Sequence, residues 1–198
     1  MYNIVDLNCP GCGASLSSNK NECDFCGRNI IITSFSSIYS MSSQDLQKLT
    51  KFYSQAQSNN PDSPDIFYSA GMCYLKTKMY EKAQNNFDKT IELNFDHSDA
   101  YFFSAIALLR GKKPFLAKID DIRRAENYLN TALSIENKGI YRLLLSYIKY
   151  DFYHRKCLNV SPDYMEELTI AKMHPLPDGD VSFMFDVLNV SPPDFFLR

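Results

Sequence analysis

Four cysteines near the start of the chain, in Cys9-Pro-Gly-Cys12-Gly and Cys23-Asp-Phe-Cys26-Gly, are the residues whose types and spacing can do chemistry. Two C-x-x-C pairs separated by ten residues can place four thiolates at the corners of one tetrahedron. That is the geometry zinc takes in closed structural sites. With every coordination position filled by protein, none is left for water or substrate. One Zn2+ on Cys9, Cys12, Cys23 and Cys26 is therefore expected to organise the fold and not to catalyse.

The other reactive groups do not converge. His97, His154 and His174 are scattered along the chain and read as surface or capping residues. Glu166 and Glu167 are neighbours, so on a helix they point about 100° apart and make a poor acid–base pair. No phosphate-cradling glycine loop, G-x-S-x-G or H-E-x-x-H is present in the sequence. Cys73 and Cys157 fall in expected helices and read as small buried hydrophobes, not nucleophiles. These observations argue against an enzyme.

Composition sets the wider bounds. The chain has 198 residues, 45% hydrophobic, 22% charged and 14% aromatic, enough for a small module and one larger globular domain. A net charge of −2 advertises neither nucleic acid nor an acidic membrane surface. Six cysteines in this length are too few for a secreted disulfide scaffold. Met1 to Asn8 carries Asp6 and no apolar core, and no apolar run approaches the ~20 residues that span a bilayer. A cytoplasmic protein with no membrane contact is expected.

The cysteines need a scaffold, and residues 1–33 are too few to fold on buried area alone. Zinc supplies a staple, with binding free energies of roughly 10–16 kcal/mol in small finger peptides. Gly11, Gly13 and Gly27 sit inside or just after the cysteine pairs, where tight turns must aim amides at sulfur. Val5, Leu7, Leu16 and Ile30–Ile32 favour short strands. In spacing and flanking glycines the segment resembles the zinc-ribbon superfamily in its compact C-P-x-C-G…C-x-x-C-G form. A thioredoxin-like redox pair needs a single C-x-x-C beside a βαβ unit, and this sequence has two pairs and no such unit. The resemblance implies a module that binds proteins or, in some members, nucleic acid. Lys20 and Arg28 against Asp6, Glu22 and Asp24 leave it at −1, which favours the protein-facing or purely structural role.

Residues 34–42 form a serine-rich joint interrupted by Phe35, Ile38, Tyr39 and Met41, which predicts that it lies on a neighbour. Ser42-Ser-Gln-Asp45 then fits a capping box opening a helix. Downstream a 34-residue period emerges: Phe67, Ala70, Gly71, Tyr74, Ala83 and Phe87 follow one unit starting at Pro64. Leu49, Tyr53, Ala56 and Pro61 share its register one period earlier. Tyr101, Ala105 and Leu108 share it one period later. Ala125, Leu129 and Ala132 come eight residues late, behind an inserted loop at Gly111–Pro114. Residues 43–137 thus resemble the tetratricopeptide family, with Phe67 for its Trp and Ala70 for its Leu. The resemblance implies antiparallel helix pairs, with Gly71 and Ala83 permitting close approach and the aromatics filling around it. Residues 138–198 are expected to add helices that cap the array. One pair starts at Gly139, another short helix opens with Ser161-Pro162 as cap and first position, Val181–Val190 forms a capping helix, and Phe195–Leu197 is an apolar tail. The expected class is mainly α, behind a small four-cysteine ribbon of short strands.

In the repeat family the first helix of each pair lines an inner face. Here its positions include Tyr68, Met72 and Leu75, then Phe102, Ile106 and Leu109. Two readings stand: a groove for an apolar peptide, or a face covered by the molecule's own C-terminal segment. A basic loop gathers Arg110, Lys112, Lys113, Lys118, Arg123 and Arg124, while 157–194 is strongly acidic. It reads either as a solvated surface or as a contact for an acidic partner. The expected function is a non-enzymatic adaptor that binds another protein or peptide. The alternatives are a nucleic-acid-associated factor using the ribbon and the 110–124 loop, or a non-catalytic subunit of an enzyme complex.

Overall fold

The structure, a computed structural model, describes residues 9, 12–14, 22–27, 30–32, 38–39 and 41–196. The expected apolar positions Val5, Leu7, Leu16, Phe35 and Leu197, and the glycine Gly11, lie outside the described residues. The described part is mainly helical, and the chain divides into two compact units, Met1–Phe95 and Asp96–Arg198. The division falls inside the span 43–137 that the repeat register joins.

In the first unit three helices follow one another: α1 (Ser43–Asn59), α2 (Pro64–Lys76) and α3 (Tyr80–Leu93). Ser42 caps α1, its hydroxyl accepting from Asp45 N–H at 3.2 Å and donating to the Asp45 carboxylate at 2.8 Å. Leu46, Leu49, Phe52, Tyr53 and Ala56 recur at helical spacing and turn one face of α1 inward. Pro64 starts α2, where its missing N–H costs nothing. The α2–α3 hairpin closes on one contact. A Cβ built on Gly71 would stand 2.5 Å from Phe87 Cε1, so only glycine lets these helices approach. Ala83, Phe87 and Cys73 are buried around that contact, and the Tyr68 and Phe87 rings lie 6.0 Å apart.

Ahead of α1 the sequence predicts strands, but among the described residues there is none. Ile30–Ile32 are buried in non-strand backbone. Their polar groups find side chains in place of a ladder: Tyr53 Oη donates to Ile30 O at 2.6 Å, and Ile32 N–H donates to Ser69 Oγ at 2.9 Å. Buried backbone must be paired, and helices α1 and α2 supply the partners.

The second unit holds α4 (Ser98–Leu108), α5 (Ile119–Ile135), α6 (Gly139–Ile148), α7 (Tyr164–Lys172) and α8 (Asp178–Leu188). A single 3-10 turn at Pro114–Leu116 breaks the connection from α4 to α5. Helices α4 and α5 pair, as do α6 and α7. The close approach of the second pair passes Gly139, where a Cβ would meet Ala171 O at 2.9 Å. Beyond Ile148 the chain continues through a π-helical turn, Lys149–Tyr153, and ends in a 3-10 turn at Cys157 with φ +55°. Ser161 and Pro162 do not open α7. Asp163 caps it, accepting from Met165 and Glu166 N–H at 2.8 and 2.9 Å while Glu166 accepts from Asp163 N–H at 2.8 Å. A carboxylate serving two orphan amides outcompetes a serine–proline start. Helix α8 packs on α4, with Phe103 and Phe183 6.4 Å apart, and a last 3-10 turn seats Phe196 5.7 Å from Tyr147.

Candidate functional site

The cysteine pairs are held by two copies of one turn. Gly13 N–H donates to Cys9 O and Gly27 N–H to Cys23 O, both at 2.9 Å. The two glycines have φ of +77° and +66°, a region that favours glycine. Cys9 N–H donates onward to Ala14 O at 2.7 Å. These turns bring all four sulfurs within 4.8 Å of one another. Cys9 and Cys26 Sγ are 3.6 Å apart, and Cys12 and Cys23 Sγ 3.7 Å. A tetrahedron with metal–sulfur bonds of about 2.3 Å sets sulfurs about 3.8 Å apart, whereas a disulfide needs about 2.05 Å. The set therefore fits a metal ion. Cys9 and Cys23 are buried, and Cys12 and Cys26 face solvent. Backbone N–H groups of Phe25 and Cys26 hold the Cys23 thiol down at about 7, against its burial. They favour the thiolate a metal requires. What the arrangement can do is hold one ion in a closed shell.

The expected inner-face residues are not on a surface. Tyr68, Met72 and Leu75 are buried in the first unit. Residues from ahead of α1 lie along this helix: Ile32 bonds Ser69, and Lys76 Nζ stands 4.9 Å over the Tyr39 ring. Phe102, Ile106 and Leu109 are buried in the second unit, with the Phe102 ring 5.0 Å from Tyr141 and α8 laid against α4. These side chains are core residues, so the open-groove reading is set aside. A short stack has too few neighbours to leave such a face wet.

The basic residues are all exposed but do not form one loop. Arg110, Lys112 and Lys113 lie on the turn after α4. Lys118 is the residue before α5, and Arg123 and Arg124 stand on α5 itself. The acids Asp120 and Asp121 begin that helix, where its dipole favours negative charge, and so extend it into the expected loop. Cys73 is buried as expected, and burial pushes its thiol to about 12. Cys157 is exposed at the end of its helix, contrary to expectation. His97 caps α4, accepting from Ala100 N–H at 3.3 Å.

One constellation escaped the sequence reading. Lys149 and Glu167 are buried as an ion pair at 2.9 Å, with Arg142 on the second Glu167 oxygen at 3.1 Å. Glu126 accepts from Tyr153 Oη at 2.9 Å, and its burial raises the carboxyl above the ordinary range. A signal did exist: Lys149 follows Tyr141 and Leu145 at four-residue steps on the apolar face of α6.

Against protein-family models, residues 64–97 match the tetratricopeptide repeat. That span begins at Pro64 and takes in the α2–α3 hairpin with its Gly71–Phe87 contact. Among curated proteins no sequence matches the chain.

Proposed function

We propose that the protein is a non-enzymatic adaptor of the cytoplasm that carries one structural Zn2+ and engages another protein or peptide through the outer surfaces of its helical hairpins. The observation that carries this reading is the hairpin at 64–97, which matches a repeat family and packs glycine against aromatic as such a hairpin must. Repeats of this kind offer surface in place of chemistry. Cys9, Cys12, Cys23 and Cys26 would hold the ion, and four soft thiolates in a tetrahedral set select zinc over harder cations. Bound there, zinc supplies no open coordination position. It fixes the turns that carry Ile30–Ile32 onto α1 and α2. Free thiolates suit a reducing compartment, and among the described residues no helix is long and apolar enough to cross a membrane.

Among the described residues of the first unit, one accessible concavity is a groove of about 640 Å3 beside α1, which includes Lys51, Ser54, Tyr74 and the exposed Met79. The test is reconstitution. The full chain, purified with zinc, should retain a discrete polypeptide that rebinds when both proteins are pure, and Lys51→Glu with Met79→Glu should weaken that binding. Turnover of a substrate by this chain alone, or no rebinding by any retained polypeptide, would overturn the adaptor reading.

A further inference from the structure

The adaptor reading does not draw on a pocket of the second unit that is lined by a buried ion pair. In the second unit α5, the π-helical turn after α6, and α7 border an open pocket of about 290 Å3. Arg123, Glu126 and Asn127 line it from α5, Lys149 from the π turn, Glu167 from α7, and Pro162 from the segment before α7.

The lining itself holds two cations and two carboxylates, and a further cation reaches one of those carboxylates from outside it. The single carboxylate of Glu167 is set against two cations, Lys149 on Oε1 and Arg142 on Oε2. Glu126 feels both Lys149 and Arg123 and receives its one hydrogen bond from Tyr153. With Arg142, which is not part of the lining, this ion-pair network sets three cations against two carboxylates. The Lys149 ammonium has three hydrogens. One goes to Glu167 and one to Pro162 O at 2.8 Å, and the third has no partner among the described residues. Yet Lys149 is only 6% exposed and Glu167 only 3%. A buried ion pair stabilises a fold no better than apolar residues of the same shape, so stability alone does not account for it. The helix is also altered at this point. His154 N–H reaches back five residues to Lys149 O, and π turns of this kind recur at functional sites.

We propose that this pocket binds a single carboxylate group, with Lys149 and Arg123 as its donors and Asn127 beside them. Its volume lies at the small end of ligand sites. It suits one acidic side chain or a short free dicarboxylate, not a helix. One carboxylate matches the one residual positive charge of this network, and the second carboxylate of a free dicarboxylate can stay in solvent. By contrast, both charges of a dianionic phosphate sit on one centre and would crowd the Glu126 carboxylate. The site lies outside the matched repeat, and its test does not depend on the adaptor reading.

The experiment is an amide-resolved NMR titration of the labelled full chain. The probes are N-acetylglutamate α-amide, succinate, neutral N-acetylglutamine amide and inorganic phosphate. Saturable shifts around 123–130, 145–149 and 160–167 are expected with the first two and not with the neutral amide. Whether the blocked amino acid or succinate binds more tightly identifies the source of the carboxylate. Arg123→Gln, at an exposed position that leaves the fold intact, should weaken binding about tenfold. Glu126→Gln removes a like charge and should tighten it by about threefold. The proposal falls if acidic and neutral probes shift the same residues alike, or if nothing saturates by roughly 50 mM. It also falls if phosphate binds more tightly than either carboxylate, or if neither substitution changes the affinity.

Discussion

Gly71 and Phe87 show how much one missing methyl group can decide. A Cβ at Gly71 has nowhere to go, because the Phe87 ring it would strike is itself fully buried. Alanine would gain roughly 1 kcal/mol in helix propensity, but forced overpacking costs about 1–3 kcal/mol. Gly71→Ala should therefore lower the melting temperature, and Phe87→Leu in the same chain should recover part of the loss. Glu126 presents the opposite case, a residue that costs stability. Its folded-state carboxyl titrates above the unfolded one, because burial outweighs Lys149, Arg123 and the bond from Tyr153. The folded protein thus binds more protons than the unfolded chain across that window, and stability declines as pH rises through it. Glutamine still accepts from Tyr153 and carries no charge. Glu126→Gln should be more stable than wild type at neutral pH by roughly 0.5 kcal/mol, discounted for solvent screening. The advantage should vanish below the unfolded carboxyl range. Paired thermal melts at acidic and neutral pH would check it, and an unchanged difference would contradict the assignment.

At the scale of elements, helix ends were harder to read than helix faces. The period-34 register located α2 and α3 from Pro64, because glycine, alanine and aromatic residues at fixed offsets have one packing solution. The start of α7 went unread. Ser161-Pro162 carries a familiar start pattern, but the Asp163–Glu166 pair two residues later satisfies more amides. Helix α7 has nine residues, too few to persist without its cap and its packing on α6. Asp163→Ala should cost about 1 kcal/mol and raise amide exchange in the first turn of α7, while Asp163→Asn should restore most of the protection. Equal exchange in wild type and the alanine variant would remove the cap from the account. The strand expectation for Ile30–Ile32 failed for a related reason. β-branched residues favour a half-buried sheet only when a partner strand is at hand, and here helices α1 and α2 offered side-chain partners first.

For the molecule as a whole, the cysteine module and the helices of the first unit share one core through Ile30–Ile32. Loss of the metal should then be felt in α1 and α2. Cys12→Ala should release the equivalent of zinc expected in the wild-type chain and lower its melting temperature, read by elemental analysis and calorimetry. A variant that kept its metal and its melting point would sink the assignment. The sequence by itself determined the four candidate ligands, the hairpin at 64–97 and the apolar faces of the helices, since these depend on short spacings and local periodicity. Only the tertiary structure decided that Tyr68, Met72, Phe102 and Ile106 are core and not an open groove. It alone also brought Arg123, Lys149 and Glu167 to one pocket. Both outcomes turn on which distant segment comes to rest on a given face, and that depends on total burial and charge pairing across the fold, which no local pattern records.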